Sequence, residues 1–442
     1  MITAWAKEMK MPSLAVLLSV AGALASAALI AKGIADMRYL YIGILFVPAL
    51  LYIGLRDPFI FPLGAYVFLV PFDSILMLTG GSSGPTLTKY LGIATIVVLL
   101  VKGSAEHRLH QPRAAALWLG LFVFWGILSG WWAIDPGQTF YRLPTAAGLL
   151  LVYWVVAAYR VDQRDFDLLS GFCLAGGIAA ALFMLYYYST QGVVERATIV
   201  MGEQQADNNE AAFTLLLPAS IALQKIRTLR SAGRILMTAA FVLIVAGLVV
   251  TGSRGALLGF LCILFIHLAF IRRKALSFGL TLAGVMLLLS VTPDFFLERW
   301  RDSLDSGGAG RTSIWYVGWK ALERYWLLGS GLHNFPFAYT EFADYAPAFK
   351  GLYRGAHNIY IETFVELGVV GIGMMAGWIW KHFSILRCAS SGRAPSAVAL
   401  AAAFAGCLVS SAFVGILWVK AFWLAPLLIA VHGNLPGERD CR

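Results

Sequence analysis

The residues of this chain best suited to chemistry are a histidine and several arginines that border apolar segments. His357 is followed by Asn358 in the stretch GAHNIYIETFVELGVVG, where a polar region gives way to an apolar run. An imidazole with its ordinary pKa of about 6.5 can accept a proton near neutral pH. The sequence therefore offers His357 as a candidate general base at the start of an apolar helix. The alternative is a polar residue that only lines a helix interface.

Four arginines are candidates for binding an anion. Arg311 follows GGAG and precedes a predicted helix, whose free N–H groups and positive dipole end favour negative charge. Arg254 lies in TGSRGA between two apolar runs, Arg196 lies in a polar loop, and Arg142 is expected to begin a span. A guanidinium binds phosphate through paired hydrogen bonds. Anchoring at the membrane interface is the alternative for all four, and it weighs more for Arg142 and Arg196.

Other polar residues receive weaker assignments. His333, in GSGLHNFPF, also precedes an asparagine and is a further candidate for substrate binding. Glu366 is expected to be a buried partner, and Lys420 either a phosphate contact or an interface anchor. The sequence contains neither a phosphate-binding P-loop nor a His-Glu-x-x-His zinc motif, and its five cysteines show no zinc spacing. The sequence therefore shows no nucleotide or zinc site, and we expect no cofactor.

Two glycines follow the histidine at helical spacing. At 100° per residue, Gly368 and Gly371 fall on the same side of a helix as His357. This phase predicts that another backbone or a lipid chain passes close beneath the imidazole. An ordinary small-residue contact between membrane helices is the alternative.

The composition shows what kind of protein must position these residues. The chain has 442 residues, of which 59% are hydrophobic and 13% charged, and its mean hydropathy is +0.75. Soluble domains contain about 25% charged residues. Apolar runs such as ILMTAAFVLIVAGLVV approach the roughly 20 residues that cross a bilayer. We predict an all-α polytopic membrane protein with 12–14 transmembrane helices. The net charge of +10 is spread over short loops, so it indicates membrane orientation and not a nucleic-acid partner.

The lysines and arginines predict the topology. They are concentrated in alternate loops, which places both termini in the cytoplasm and His357 on the outer side. The predicted spans lie near 13–31, 39–55, 58–79, 87–102, 113–134, 141–159, 168–188, 211–224, 235–252, 255–272, 276–292, 359–380, 396–414 and 418–432. These spans divide the chain into an N-terminal bundle (1–292), a large outer loop (293–358) and C-terminal helices with a cytoplasmic tail (359–442).

The outer loop is too long to be a mere connection, which favours a functional role. Within it, a helix is predicted from about Thr312 to Leu328, with a stop at Gly329. One face of this helix is rich in tryptophan and tyrosine, a composition suited to the headgroup layer. We therefore expect an amphipathic helix that lies at the membrane interface.

These residues together resemble a known family. His357, Asn358, nine residues, Gly368, two residues and Gly371 are similar to the His-[Asn/Ser/Gln]-x9-Gly-x-x-Gly pattern of bacterial lipopolysaccharide O-antigen ligases. GRTSIW and the long outer loop before the last spans add to the resemblance. It implies transfer of an O-polysaccharide from undecaprenyl pyrophosphate to the outer-core sugar of lipid A-core, at the periplasmic face of the bacterial inner membrane. It also implies a fold similar to the GT-C glycosyltransferases, inversion at the anomeric carbon and no required metal.

The resemblance assigns roles to individual residues. It makes His357 the motif histidine and Arg311 the outer-loop arginine, and it matches Arg254 plausibly and Arg196 and Arg142 only loosely. Arginines near the imidazole would disfavour its protonation and would stabilise charge on a departing pyrophosphate.

Three alternatives stay open. An O-antigen polymerase and a protein O-oligosaccharyltransferase would use the same donor and the same base. A lipid-glycan flippase or anion transporter is a different class, and it predicts paired charges deep within the spans.

Overall fold

The computed structural model shows an almost entirely helical protein. It describes residues 47–77, 85–190, 196–201, 204–270, 310–388 and 395–436. The helices are α1 (Val47–Arg56), α2 (Leu63–Leu69), α3 (Leu87–Ala105), α4 (Ala114–Leu128), α5 (Pro136–Ala157), α6 (Gln163–Thr190), α7 (Asn208–Thr214), α8 (Leu216–Thr228), α9 (Ser231–Val250), α10 (Arg254–Ala269), α11 (Arg311–Tyr325), α12 (Phe335–Glu341), α13 (Ile359–Cys388), α14 (Pro395–Ser411) and α15 (Lys420–Gly433). Short 3-10 helices cover Val70–Ile75, Ser129–Trp131 and Ala343–Tyr345, and β1 (Val200–Met201) pairs antiparallel with β2 (Gln204–Gln205).

The predicted class, an all-α polytopic membrane protein, is confirmed. Six helices of the described residues are long and apolar enough to span a membrane, and they begin at Leu87, Ala114, Pro136, Gln163, Ser231 and Ile359. Shorter apolar helices occur at Leu63–Ile75, Arg254–Ala269, Pro395–Ser411 and Lys420–Gly433. The span predicted at 211–224 is instead divided between α7 and α8. The spans predicted near 13–31 and 276–292, and positions 293–309 of the outer loop, lie outside the described residues.

The chain forms two compact units, Met1–Asp57 and Pro58–Arg442. Helix α1 is the described helix of the first unit, and the candidate site belongs entirely to the second. Within the second unit, α10 and α14 approach closely at two glycines. A Cβ atom on Gly259 would lie 2.5 Å from the carbonyl oxygen of Gly406, and the reverse contact is equally short. Small residues permit such close packing between membrane helices, and here they fix α10 against the C-terminal helices.

The amphipathic helix of the outer loop is present as α11, one residue earlier at its start than predicted and three earlier at its end. Val317 and Ala321 are buried against Ala338 of α12, whereas the Trp319 side chain on the opposite face is 60% exposed. The helix ends before Gly329, which adopts a left-handed conformation with φ +85°. Its exposed aromatic face fits the predicted interfacial role, which stays a prediction.

Helix α13 is broken at Gly368, and this corrects the predicted helical phase. Gly368 has φ +65° and ψ −168°, a conformation that side chains disfavour, and a Cβ atom there would overlap the carbonyl oxygen of Leu327. His357 also lies outside the helix, which begins at Ile359. The expectation that His357, Gly368 and Gly371 share one helical face is therefore wrong. The backbone of Leu327 does pass close to Gly368, but at the helix break and not as part of a helical face shared with the imidazole.

The segment Trp326–Gly331 satisfies the backbone groups freed by this break. The N–H groups of Ser330 and Gly331 donate to the carbonyls of Val365 and Glu366, at 2.8 Å and 2.9 Å, and the N–H of Val369 donates to the Trp326 carbonyl. The indole of Trp125 donates to the Leu367 carbonyl at 2.9 Å. A helix break within a membrane protein is tolerated where protein groups complete its hydrogen bonds. The break thus joins the segment after α11 to the N-terminal part of α13.

Candidate active site

His357 occupies a strained turn immediately before α13. Its φ of +48° lies in the left-handed region. The Asn358 side-chain oxygen accepts from the backbone N–H groups of Tyr360 and Ile361, at 2.9 Å and 3.1 Å, so the asparagine caps the helix. This cap explains the asparagine of the motif, because it holds the histidine just outside the first turn. His357 is partly exposed and is not part of the packed helix.

Three segments that are distant in sequence meet beside His357. The indole of Trp315 in α11 donates to the Ala356 carbonyl at 2.9 Å, which ties α11 to the residue before the histidine. The Trp315 ring also lies 6.1 Å from the ring of Phe413, and Phe413 packs against Gly255 in α10. The starts of α10 and α11, which carry Arg254 and Arg311, are thereby brought to the same region as the imidazole.

The electrostatic surroundings of His357 lower its pKa. Partial burial contributes most, followed by the positive charge of Arg311, and Arg354 acts in the same direction. The carboxylate of Asp207 opposes this shift and raises the pKa. The imidazole is therefore mainly neutral at neutral pH, which is the form that accepts a proton. Sequence reasoning missed Arg354 and Asp207, and the position of Arg354 three residues before His357 was the available indication.

Arg311 is accompanied by a second cation at the start of α11. Gly310 has φ +79°, and a Cβ atom there would overlap the side chain of Lys350, whose ammonium nitrogen would lie 3.0 Å away. Positive charge is therefore concentrated at the start of α11, where the helix dipole, Arg311 and Lys350 lie together. Lys350 was also missed, since it lies 39 positions from Arg311 in a segment without a recognisable motif.

Arg196 supports the turn from which α10 begins. Its Nε donates to the Thr251 carbonyl at 2.9 Å, and its Nη2 donates to the side-chain oxygen of Asn209 at 3.0 Å. The Ser253 hydroxyl donates to the same Asn209 oxygen at 3.0 Å. Because Ser253 directly precedes Arg254, these bonds hold the start of α10 in place. Contact of Arg196 or Arg254 with a substrate stays a prediction.

Arg142 and His333 form a separate group. Arg142 does not begin a span as predicted, because α5 begins at Pro136 and is capped by the Asp135 side chain, which accepts from Gly137 N–H at 2.8 Å. The Arg142 Nη2 lies 3.1 Å from the His333 Nε2. Burial, and to a smaller extent the charge of Arg142, lowers the pKa of His333 to about 4. His333 is therefore neutral at physiological pH and accepts from the guanidinium.

Two carboxylates on α13 lie between these groups. Glu366 is buried, as predicted, and accepts from the backbone N–H groups of His333 and Phe335, at 2.9 Å and 3.1 Å. Glu362 lies one turn earlier. A Cβ atom on Gly415 would be 3.1 Å from the Glu362 Oε2 and 3.9 Å from the His357 Cα, so both residues flank that glycine.

Lys420 forms an ion pair within the protein, and its predicted roles stay predictions. Its ammonium is bound to both oxygens of the Asp73 carboxylate, at 2.7 Å and 2.8 Å, and to the Thr86 hydroxyl at 3.0 Å. These contacts join the start of α15 to the segments around α2 and α3. Within the described ranges, no group of three or more His, Cys, Asp and Glu side chains is placed to hold a metal ion.

Comparison with known proteins shows a similarity to one family. Residues 239–376 match the family model described as O-Antigen ligase. The match includes α10, α11, His357 and Gly368. This part of the chain is therefore similar to O-antigen ligases.

The other comparisons add little. No curated protein sequence matches the chain. One similar solved chain comes from a structure described as "Structural coordination of polymerization and crosslinking by a peptidoglycan synthase complex". That similarity has a TM-score of 0.43 and 17% identity, and it covers 74% of this chain and 97% of the other. It carries no conclusion about function.

Proposed function

We propose that the protein transfers O-antigen polysaccharide from undecaprenyl pyrophosphate to the outer-core sugar of lipid A-core, in the bacterial inner membrane. Both termini would be cytoplasmic and the site would face the periplasm. The observation that carries the proposal is the placement of Arg311 beside His357, which the Trp315–Ala356 hydrogen bond maintains. The site thus combines a neutral base with clustered positive charge, as transfer from a pyrophosphate-linked sugar requires.

His357 acts as the general base in this proposal. A hydroxyl of the acceptor sugar gives its proton to the imidazole as its oxygen attacks the anomeric carbon of the donor. Proton transfer by a positioned side chain contributes about 10²–10⁴-fold to rate. Attack from the face opposite the leaving group inverts the anomeric configuration.

The cations act on the leaving group. As the bond from the anomeric carbon to the pyrophosphate oxygen breaks, its electron pair remains on undecaprenyl pyrophosphate. Arg311 and Lys350 at the start of α11, together with Arg254, would stabilise that charge by preorganised electrostatics. This arrangement accounts for catalysis without a metal. Undiminished transfer in excess chelator would support it, and a loss restored by one divalent ion would overturn it.

The purified two-substrate reaction tests the proposal. Protein supplied with lipid-linked O-antigen and lipid A-core should form a ladder of modified lipid A-core. His357→Ala should abolish the ladder, and Arg311→Ala should reduce the rate about 10²-fold. Wild-type ligation by His357→Ala at equal expression would contradict the assignment of the base.

The same reaction separates the alternatives. Longer lipid-linked chains without modified lipid A-core would indicate a polymerase, and glycan on protein would indicate an oligosaccharyltransferase. Transbilayer movement of a labelled polyprenyl lipid without any glycosyl transfer would indicate a transporter.

A further inference from the structure

The Arg142–His333 group presents an exposed aromatic ring. Tyr141 is 70% exposed, and its ring stacks on that of His333 with a centroid distance of 6.4 Å and an interplanar angle of 24°. Arg142, the next residue, is hydrogen-bonded to the same imidazole. A flat ring flanked by hydrogen-bonding groups suits a sugar, whose C–H face stacks on aromatic carbon while its hydroxyls bind polar side chains.

This surface is held rigidly from behind. Glu366 fixes the backbone of His333, which has φ +62°. The buried Asn334 amide accepts from Asp135 N–H at 2.7 Å and donates to the Thr139 hydroxyl at 3.2 Å, joining the His333 turn to the start of α5. Such supporting contacts preorganise a binding surface and reduce the entropy lost when a ligand binds.

Arg142 supplies directed hydrogen-bond donors to this surface. Its Nη2 lies 3.1 Å from the His333 Nε2. The hydroxyls of a sugar can accept from such N–H groups.

Helix α13 connects this surface to the region of the proposed base. Glu366 accepts from the His333 N–H, and Glu362, one turn earlier, flanks Gly415 together with the His357 backbone. Transfer requires the nucleophile and the leaving group on opposite sides of the anomeric carbon. The pyrophosphate is assigned to the cations at the start of α11. The Arg142–His333 surface is therefore left for the acceptor.

We propose that Tyr141, Arg142 and His333 form the subsite for the acceptor's terminal sugar, with Tyr141 as its stacking platform. This inference rests on the proposed glycosyl transfer and identifies where the second substrate binds. It also gives Arg142 and His333 a sugar ligand instead of a phosphate.

Steady-state kinetics of Tyr141 variants test the subsite. Tyr141→Ala should raise the KM for lipid A-core about tenfold and leave the KM for the lipid-linked donor unchanged. Tyr141→Phe, which keeps the ring, should raise this KM much less than Tyr141→Ala does. Phe140→Ala is the matched control, because Phe140 is the adjacent aromatic residue and is 61% exposed. Equal effects of Phe140→Ala and Tyr141→Ala, or a rise in the donor KM, would overturn the assignment.

A binding measurement separates this inference from the proposed reaction. Core oligosaccharide freed of lipid A is added to the protein in nanodiscs, and contact is detected by saturation-transfer NMR. Binding should be present in wild type and in His357→Asn and lost in Tyr141→Ala. Retained oligosaccharide binding in Tyr141→Ala would contradict the subsite, whatever reaction the enzyme catalyses. Normal oligosaccharide binding without glycosyl transfer would instead contradict only the proposed reaction.

Discussion

The molecule contains two His–Asn turns with similar backbones and different surroundings. His333 and His357 both adopt left-handed conformations, with φ of +62° and +48°, and each turn precedes a helix. The His333 ring is hydrogen-bonded to Arg142 and stacked on Tyr141. Among the described residues, no group forms a hydrogen bond to the His357 ring, which is exposed beside Arg311. The same dipeptide therefore holds a hydrogen-bonded, stacked imidazole in one place and an accessible imidazole in the other.

The two asparagines differ as well. Asn334 is fully buried, and its side chain is hydrogen-bonded to the start of α5 and to its own turn. Asn358 instead caps the helix that follows it. The comparison shows that a motif residue acquires its role from neighbours that the motif does not specify.

The largest expected effect distinguishes the two histidines by kinetics. His357→Asn should lower kcat by about 10²–10⁴-fold, because the proton acceptor is lost. His333→Asn should raise the KM for lipid A-core with a much smaller effect on kcat. Asparagine tolerates left-handed backbone, so the substitutions are matched in strain. Equal losses of kcat in both variants would contradict the contrast between the turns.

The next effect concerns the break in α13 at Gly368. Gly368→Ala places a methyl group against the Leu327 carbonyl at positive φ and should destabilise the protein by about 3 kcal/mol or more. Gly373→Ala is the control, because a Cβ atom there meets no atom within 4 Å. Unfolding curves in detergent should separate the two variants. Similar midpoints would show that the break does not require glycine.

A smaller loss of stability is expected where only the His333 turn is disturbed. Glu366→Ala removes the acceptor of two backbone N–H groups and should cost about 2–3 kcal/mol. It should also raise the KM for lipid A-core, as His333→Asn does. Glu323→Ala, at an exposed ion pair in α11, should change stability by less than about 1 kcal/mol. An unchanged KM for lipid A-core in Glu366→Ala would show that the Glu366 carboxylate does not support the subsite.

The smallest effects lie in the pH dependence of the reaction. In the proposed reaction His357 is a neutral base, so the rate should fall as pH decreases through its pKa, which lies below the ordinary value. Arg311 lowers this pKa and Asp207 raises it, so Arg311→Gln should move the acid limb to higher pH and Asp207→Asn to lower pH. Asparagine also caps helices, so Asp207→Asn should leave the start of α7 unchanged. Shifts in the same direction would contradict the assignment of the limb to His357.

The sequence predicted the elements better than their contacts. Long apolar runs predicted the membrane helices, and the tryptophan-rich segment after Arg311 predicted α11. The helical phase from His357 to Gly371 failed because a cap at Asn358 and a break at Gly368 interrupt the helix, and a periodicity argument assumes continuity. Lys350, Arg354 and Asp207 were missed because tertiary packing alone brings them near His357 or Arg311.

Chemical rescue tests the central claim that His357 is the general base most directly. Glycine tolerates the φ of +48° and leaves space where the exposed imidazole was, so His357→Gly should lose single-turnover transfer and regain it as imidazole is added. The rescued rate should follow the neutral fraction of the added imidazole. Transfer at the wild-type rate by His357→Gly without imidazole would contradict the account.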